Sequence, residues 1–167
     1  MNAINLDKTD ILILRYIQTD STISNLTLAK KVGLSPSACL TRTKRLRQEG
    51  IISAYSAVID ATKIGLQVSS YTFVTLSPHN RETANHFVQE VHRIPQILEC
   101  YNITGNWDYL LKIVSQNISS YRDFVIDKLI AIEGVNHVET LIVLKTEKNT
   151  FCLPLEAIPV ENYNPTR

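Results

Sequence analysis

The chain has 167 residues, 44% hydrophobic and 20% charged, with a formal net charge of +1, ordinary values for a globular protein of one or two small domains. Apolar runs such as Leu141–Leu144 fall far short of the roughly 18 residues needed to span a bilayer, and the polar start MNAINLDKTD lacks the basic and apolar regions of a secretory signal. Three widely spaced cysteines, Cys39, Cys100 and Cys152, form no CxxC pair, which argues against a disulfide framework or a zinc site and favours a reducing, cytoplasmic setting.

The first 65 residues carry nine Lys/Arg against five Asp/Glu, a balance of +4, whereas residues 66–167 carry eight against eleven, a balance of −3. Such asymmetry suggests that the first half meets a polyanion, although an excess this small also fits a solvated face. Asp7 and Asp10 sit where a first helical turn favours negative charge, and Ile11, Leu14 and Ile17 give an apolar stripe through about Thr19. Ser24 caps a second predicted helix, Asn25 to Val32. Gly33 then suits its left-handed end, and Ser35 with Pro36 opens a third helix that runs to Glu49.

In that third helix Cys39, Thr43 and Leu46 recur at i, i+4 and i+7 and mark the buried stripe. The opposite face carries Ser37, Thr41, Lys44, Arg45 and Gln48, flanked by Arg42 and Arg47, with Ser35 at the start. Short hydroxyl side chains allow close approach to base edges, and the cations reach phosphates and guanine. A helix–Gly–helix connection is the geometry that lays a second helix in the major groove of double-stranded DNA. A solvated cationic face is the competing reading. Beyond Gly50, Ile51 to Ile59 nearly alternates apolar and small residues, which predicts a wing or linking strand before a turn at Asp60–Gly65.

From Leu66 onward strand and helix patterns alternate. Val68–Leu76 reads as a strand, Glu82–Val91 as a helix, Ile97–Ile103 and Tyr109–Val114 as strands around a Gly105–Asp108 turn, Ser119 or Ser120 to Ile132 as a helix, and Val138–Leu144 as a strand. The order βαββαβ is ferredoxin-like, an antiparallel sheet with two helices on one face. The fold class is therefore α+β, with a boundary expected near residue 60 and a second domain running from 61 to 167. Tyr71, Phe73, Tyr109, Leu111 and Val143 cannot all face two helices, so the free face is expected to pack on a second copy. The tail from Leu155, with Pro159 and Pro165, has no regular pattern, and docking on a neighbour is the most that it suggests.

Along nearly the whole chain the motifs resemble the leucine-responsive/asparagine-responsive (Lrp/AsnC) family of feast-famine regulators. They include Leu6-Asp7-x-x-Asp10-x-x-Ile13-Leu14, Val32-Gly33-Leu34-Ser35-Pro36, Lys44-Arg45-Leu46, Gly105-x-x-Asp108-Tyr109-Leu110-Leu111-Lys112, Gly134-Val135 and Leu153-Pro154-Leu155. The resemblance implies a winged helix-turn-helix, a ligand-sensing βαββαβ domain, and homodimers assembling to tetramers or octamers. It also implies an amino acid or similar small molecule bound between dimers. The effector site so implied comprises Thr104, Gly105, Asn106, Trp107 and Asp108, faced by Gly134, Val135, Asn136 and Thr140 of a neighbouring subunit. Asp108 could then hold an α-ammonium group and exposed amides an α-carboxylate, or Gly105–Asp108 could be a plain turn.

Thr41, Thr43 and Val138 stand where relatives often have Arg, Val and Thr, and Trp107 is large for its turn, serving as an apolar lid for a Leu- or Met-like effector or as interface packing. Two rival functions remain. One is an architectural DNA-binding protein without an effector. The other is a haem-precursor decarboxylase of the same two-domain plan. His79, His86, His92 and His137 show no metal-ligand spacing and no nucleophile arrangement, so the expectation is a non-enzymatic, nucleoid-associated regulator without cofactor or metal.

Overall fold

The computed structural model describes residues 6–157. They divide into two compact units, residues 6–58 with 148–157 and residues 59–147. The division after residue 58 lies close to the boundary read from the sequence. Residues 148–157, read from the sequence as part of the second domain, group with the N-terminal unit; residues 158–167 lie outside the described ones.

In the first unit α1 (Lys8–Thr19), α2 (Asn25–Val32) and α3 (Pro36–Gln48) each begin at a side-chain cap. Asp7 accepts from the backbone N–H of Asp10 at 2.8 Å while Asp10 accepts from that of Asp7 at 3.2 Å, a reciprocal capping box. Ser24 accepts from the Thr27 amide, and Ser35 from the Ala38 amide with Pro36 in the first turn. Gly33 ends α2 at φ 70°, a backbone setting that costs a side-chain-bearing residue free energy. Ile13, Cys39 and Leu46 are completely buried, and Ile11, Leu14, Ile17, Leu28 and Ile52 close the core around them.

The strand expected over Ile51–Ile59 does not form. The amides of Ile51 and Ile52 donate back to the Leu46 carbonyl at the end of α3, and the rest of the segment makes no ladder among the described residues. Alternation marks a segment able to pair, but a strand also requires a partner edge.

The second unit contains β1 (Val68–Leu76), α4 (Arg81–His92), β2 (Ile97–Asn102), β3 (Tyr109–Ser115), α5 (Ile118–Phe124) and β4 (Val135–Ile142). The strands form one antiparallel sheet in the order β2-β3-β1-β4, as a ferredoxin-like βαββαβ chain requires. Val74, Leu111 and Ile113 on the inner face are fully buried in one core with Phe87, Val91, Phe124 and Leu129 from the helical segments. Tyr109 and Leu111 belong to this face, whereas Tyr71 is exposed and Phe73 half-buried on the other. The bounds of α3, α4, β2 and β3 differ from the sequence reading by one residue, and those of β4 and α5 differ by more. β4 starts at Val135 because β1 pairs with it as far as Leu76. α5 starts at Ile118, with Asn117 as its cap, and widens into a π-helical turn over Val125–Leu129; the five-residue spacing keeps both Phe124 and Leu129 buried.

Candidate nucleic-acid interface and ligand-binding site

On α3 the side chains of Ser37, Thr41, Lys44, Arg47 and Gln48 are exposed, as is Ser35 at its cap. Ser37, Thr41, Lys44 and Gln48 follow one another at i, i+4, i+7 and i+11 and form a single stripe. The Thr41 hydroxyl donates to the Ser37 carbonyl at 3.0 Å. Arg47 lies over the Tyr55 ring at 5.9 Å. These contacts leave Lys44 as the cation on that stripe.

Arg42 and Arg45 are placed differently. Arg42 donates to Asp7 and to Asp10, the latter at 3.0 Å, and Arg45 donates to the second oxygen of Asp10. The Asp10 side chain is fully buried, and the two arginine side chains retain 31% and 41% exposure. Burial works against the charge of Asp7, but the Asp10 amide and the Arg42 guanidinium outweigh it and hold the carboxyl below its ordinary value. Likewise, burial opposes the Arg42 charge, and the two carboxylates more than offset it. The sequence reading had Asp7 and Asp10 as helix-start charges and the two arginines as groups on or beside the DNA face. Beyond the capping of α1, the four side chains clamp α3 to the start of α1. A separation of 32 to 35 residues leaves no periodic signal by which sequence could pair them.

In the second unit the 104–108 loop and the start of β4 flank the end of β1 within one protomer. The Asp108 amide donates to the Val74 carbonyl at 3.0 Å, and its carboxylate accepts from the Leu76 amide at 2.7 Å. The other carboxylate oxygen lies 3.2 Å from Nδ1 of His79. Together with Arg81, Asn80, Asn102, Tyr109, Leu76 and Ala84, these two side chains line a cavity of about 290 Å³. Thr104, Gly105 and Asn106 are exposed beside it in sequence.

Trp107 lies apart from the cavity lining. Its ring stacks on His137 at 5.4 Å and tilts against Phe73 at 5.6 Å, both within the same chain. Asn136 donates to the Thr75 hydroxyl at 3.4 Å. Val135 packs against the core. The Thr140 hydroxyl is bound to that of Tyr121 at 2.6 Å on the inner face, where Tyr121 also meets Thr72 at 2.9 Å. Gly134, at φ 91°, allows the turn to pass Thr83, whose methyl would sit 2.2 Å from a β-carbon there. Sequence reasoning missed His79, Arg81 and Asn102. His79 was read as one of four histidines without metal-ligand spacing, Arg81 lay just before the helix read from Glu82, and nothing in the sequence brings them to a carboxylate nearly thirty residues on.

Comparison with known proteins accounts for both units. A family model described as a winged helix-turn-helix DNA-binding domain matches residues 6–53, and one described as the Lrp/AsnC ligand binding domain matches residues 69–152. The transcriptional regulator AzlB of Bacillus subtilis is 48% identical over 154 residues, covering 92% of this chain and 98% of that protein. The leucine-responsive regulatory protein of Escherichia coli K12 is 34% identical, covering 87% of this chain and 89% of its own length. Among solved structures, a transcriptional regulator from Neisseria meningitidis in complex with L-Met superposes with a TM-score of 0.87 at 34% identity, over 91% of this chain and 98% of that one. With a helix-turn-helix unit, a ferredoxin-like unit and these matches, the chain belongs to the Lrp/AsnC family of transcriptional regulators.

Proposed function

We propose that the protein binds specific double-stranded DNA and that its assembly or DNA affinity responds to a bound amino acid, with a Leu- or Met-like side chain. The cavity around Asp108 supports this most directly, because it sets a carboxylate beside an arginine, a donor and acceptor pair suited to an α-ammonium and an α-carboxylate. One Asp108 oxygen is committed to Leu76; the other, which lies 3.2 Å from His79 Nδ1, is the ammonium acceptor, with the exposed His79 ring giving way, and Arg81 is the carboxylate partner. A volume of about 290 Å³ sits at the small end of the range of about 300–1,000 Å³ for small-ligand sites, in keeping with an amino acid. The L-Met bound to the Neisseria regulator lends further support.

In this reading α3 enters the major groove with Ser35, Ser37, Thr41, Lys44, Arg47 and Gln48, while Arg42 and Arg45 hold it in place. The sheet face bearing Tyr71, Phe73 and Leu141 packs on a second copy, and dimers assemble further through the effector region, where Gly134, Val135 and Asn136 of a neighbour complete the site. The protein then acts in the cytoplasm at the nucleoid. Isothermal titration with L-methionine and L-leucine, followed by light scattering with and without each, tests the reading. The unmodified protein should bind one of them. Asp108→Asn, which retains an acceptor for Leu76, should lose that heat while keeping its oligomer mass. Full binding by the variant would refute the ammonium-binding role.

A further inference from the structure

The chain joins its two units twice, once near residue 58 and again near residue 148. After β4 ends at Ile142 the chain needs only residues 143–147 to reach the second junction. The segment that follows is fastened to α1. Gln18 uses its whole side-chain amide on one residue, accepting from the Leu153 amide at 3.0 Å and donating to the Leu153 carbonyl at 3.1 Å. Arg15 pairs with Glu156 at 2.9 Å. Leu155, only 5% exposed, enters the same core as Ile13 and Leu46. Burying a leucine is among the larger single contributions a side chain makes, so this is a built contact rather than a tail lying on a surface.

The other end of α1 holds α3, through Asp7 and Asp10 to Arg42 and Arg45. One helix therefore carries the returning chain near its C-terminus and the DNA helix at its N-terminus. On the sensing side, β4 contains Val135, Asn136 and Thr140 of the expected effector set. We infer that residues 148–157 form a strap by which β4 positions the DNA-binding helix, with Gln18 and Leu155 as its positioning residues; its link to ligand rests on the proposed amino-acid response. A change in β4 reaches α3 along the covalent chain 143–147, the strap and α1. This path needs neither a side-chain wire across the molecule nor any contact between the two units. A rigid helix with both attachments transmits a shift at one end to the other.

Full-length variants test the strap on a duplex enriched from a random pool by the unmodified protein, with a scrambled duplex alongside. Gln18→Glu replaces the donor to the Leu153 carbonyl with a second acceptor, and Leu155→Ala removes the anchor. Each should raise hydrogen exchange over 151–156 and reduce the affinity ratio of selected to scrambled DNA by about fivefold, with an unchanged salt slope because no phosphate contact is lost. A merely structural role would instead lower the active fraction on both duplexes equally. An unchanged ratio, with exchange showing the strap released, overturns the inference. If Leu155→Ala unfolds the unit, Gln18→Glu decides. A Gly-Ser-Gly-Ser spacer between residues 147 and 148 should lower the ligand-free affinity ratio as the two variants do and reduce the effect of L-methionine or L-leucine on DNA binding by about fivefold; an unchanged ratio or a full effect refutes the coupling. If neither amino acid affects the unmodified protein, the sensing reading fails by itself, and the specificity ratio of the two variants still decides the strap.

Discussion

Asp10→Ala removes a fully buried carboxylate that accepts from Arg42 and Arg45 and from the Asp7 amide. Each hydrogen bond to a charged group contributes about 1.5–3 kcal/mol, and stranding one member of a buried ion pair costs about 3–5 kcal/mol. Here the two arginine side chains keep 31% and 41% exposure, so water regains part of the loss, and Arg42 retains Asp7. Those offsets bring the expected cost to about 2–3 kcal/mol for Asp10→Ala, and to about 1–2 kcal/mol for Asp10→Asn, which keeps an acceptor but not the charge. Because the two units need not unfold together, native-state hydrogen exchange of α1 and α3 amides measures the change better than a global melt. A double-mutant cycle with Arg45→Ala should return a coupling energy of at least about 0.5 kcal/mol. If Asp10→Ala changes α1 and α3 protection by less than about 0.5 kcal/mol, the clamp is not what holds α3.

Lys44→Ala should weaken binding to all duplexes and lower the salt slope by about one, whereas Arg45→Ala should weaken binding with an unchanged slope; filter binding across a salt series separates them, and a lowered slope for Arg45→Ala would return that side chain to the DNA face. Gly134→Ala forces an unfavourable φ and a collision with the Thr83 methyl, at a cost of about 1–3 kcal/mol. Urea denaturation of the single variant and of the pair with Thr83→Ala checks this, since relief of the collision alone should restore only part of the loss. For pH, the side-chain bond from Lys112 lowers Glu99 from its ordinary value of 4.5, and Asp7 is lowered from 3.8. A depressed folded-state value means that these carboxylates stabilise fully above their ordinary range and lose that contribution as pH falls through the lowered values. Stability should therefore decline with acid below about pH 4.5, less steeply in Glu99→Gln; an equal acid slope in the variant would remove Glu99 from the account.

Local chemistry made much of the fold legible. Ser24, Gly33, Ser35 and Pro36 announce their helix ends because caps and left-handed turns act within a few residues. The period-two pattern of Val68–Leu76 and the 3.6-residue pattern of α4 likewise depend only on near neighbours. The element order then leaves few ways to build the second unit. The 104–108 turn was visible for the same reason, although the use of its carboxylate was not.

Tertiary structure decided which distant groups meet. A carboxylate in a first helical turn reads the same whether it serves the helix dipole or anchors two arginines, and only the crossing of α1 and α3 makes Asp10 the latter. Ile51–Ile59 has the composition of a strand, but pairing depends on an edge that its own sequence cannot supply. Trp107 and Asp108 are adjacent in sequence, yet one packs on Phe73 and His137 while the other lines a cavity with His79 and Arg81. The return of Leu153 and Leu155 to α1 likewise has no local signature, since its energy comes from a core assembled more than a hundred residues earlier in the chain. Sequence determined the elements, because their energies are local. The clamp, the cavity and the strap were settled by the path of the folded chain, because burial and ion pairing depend on distance in space.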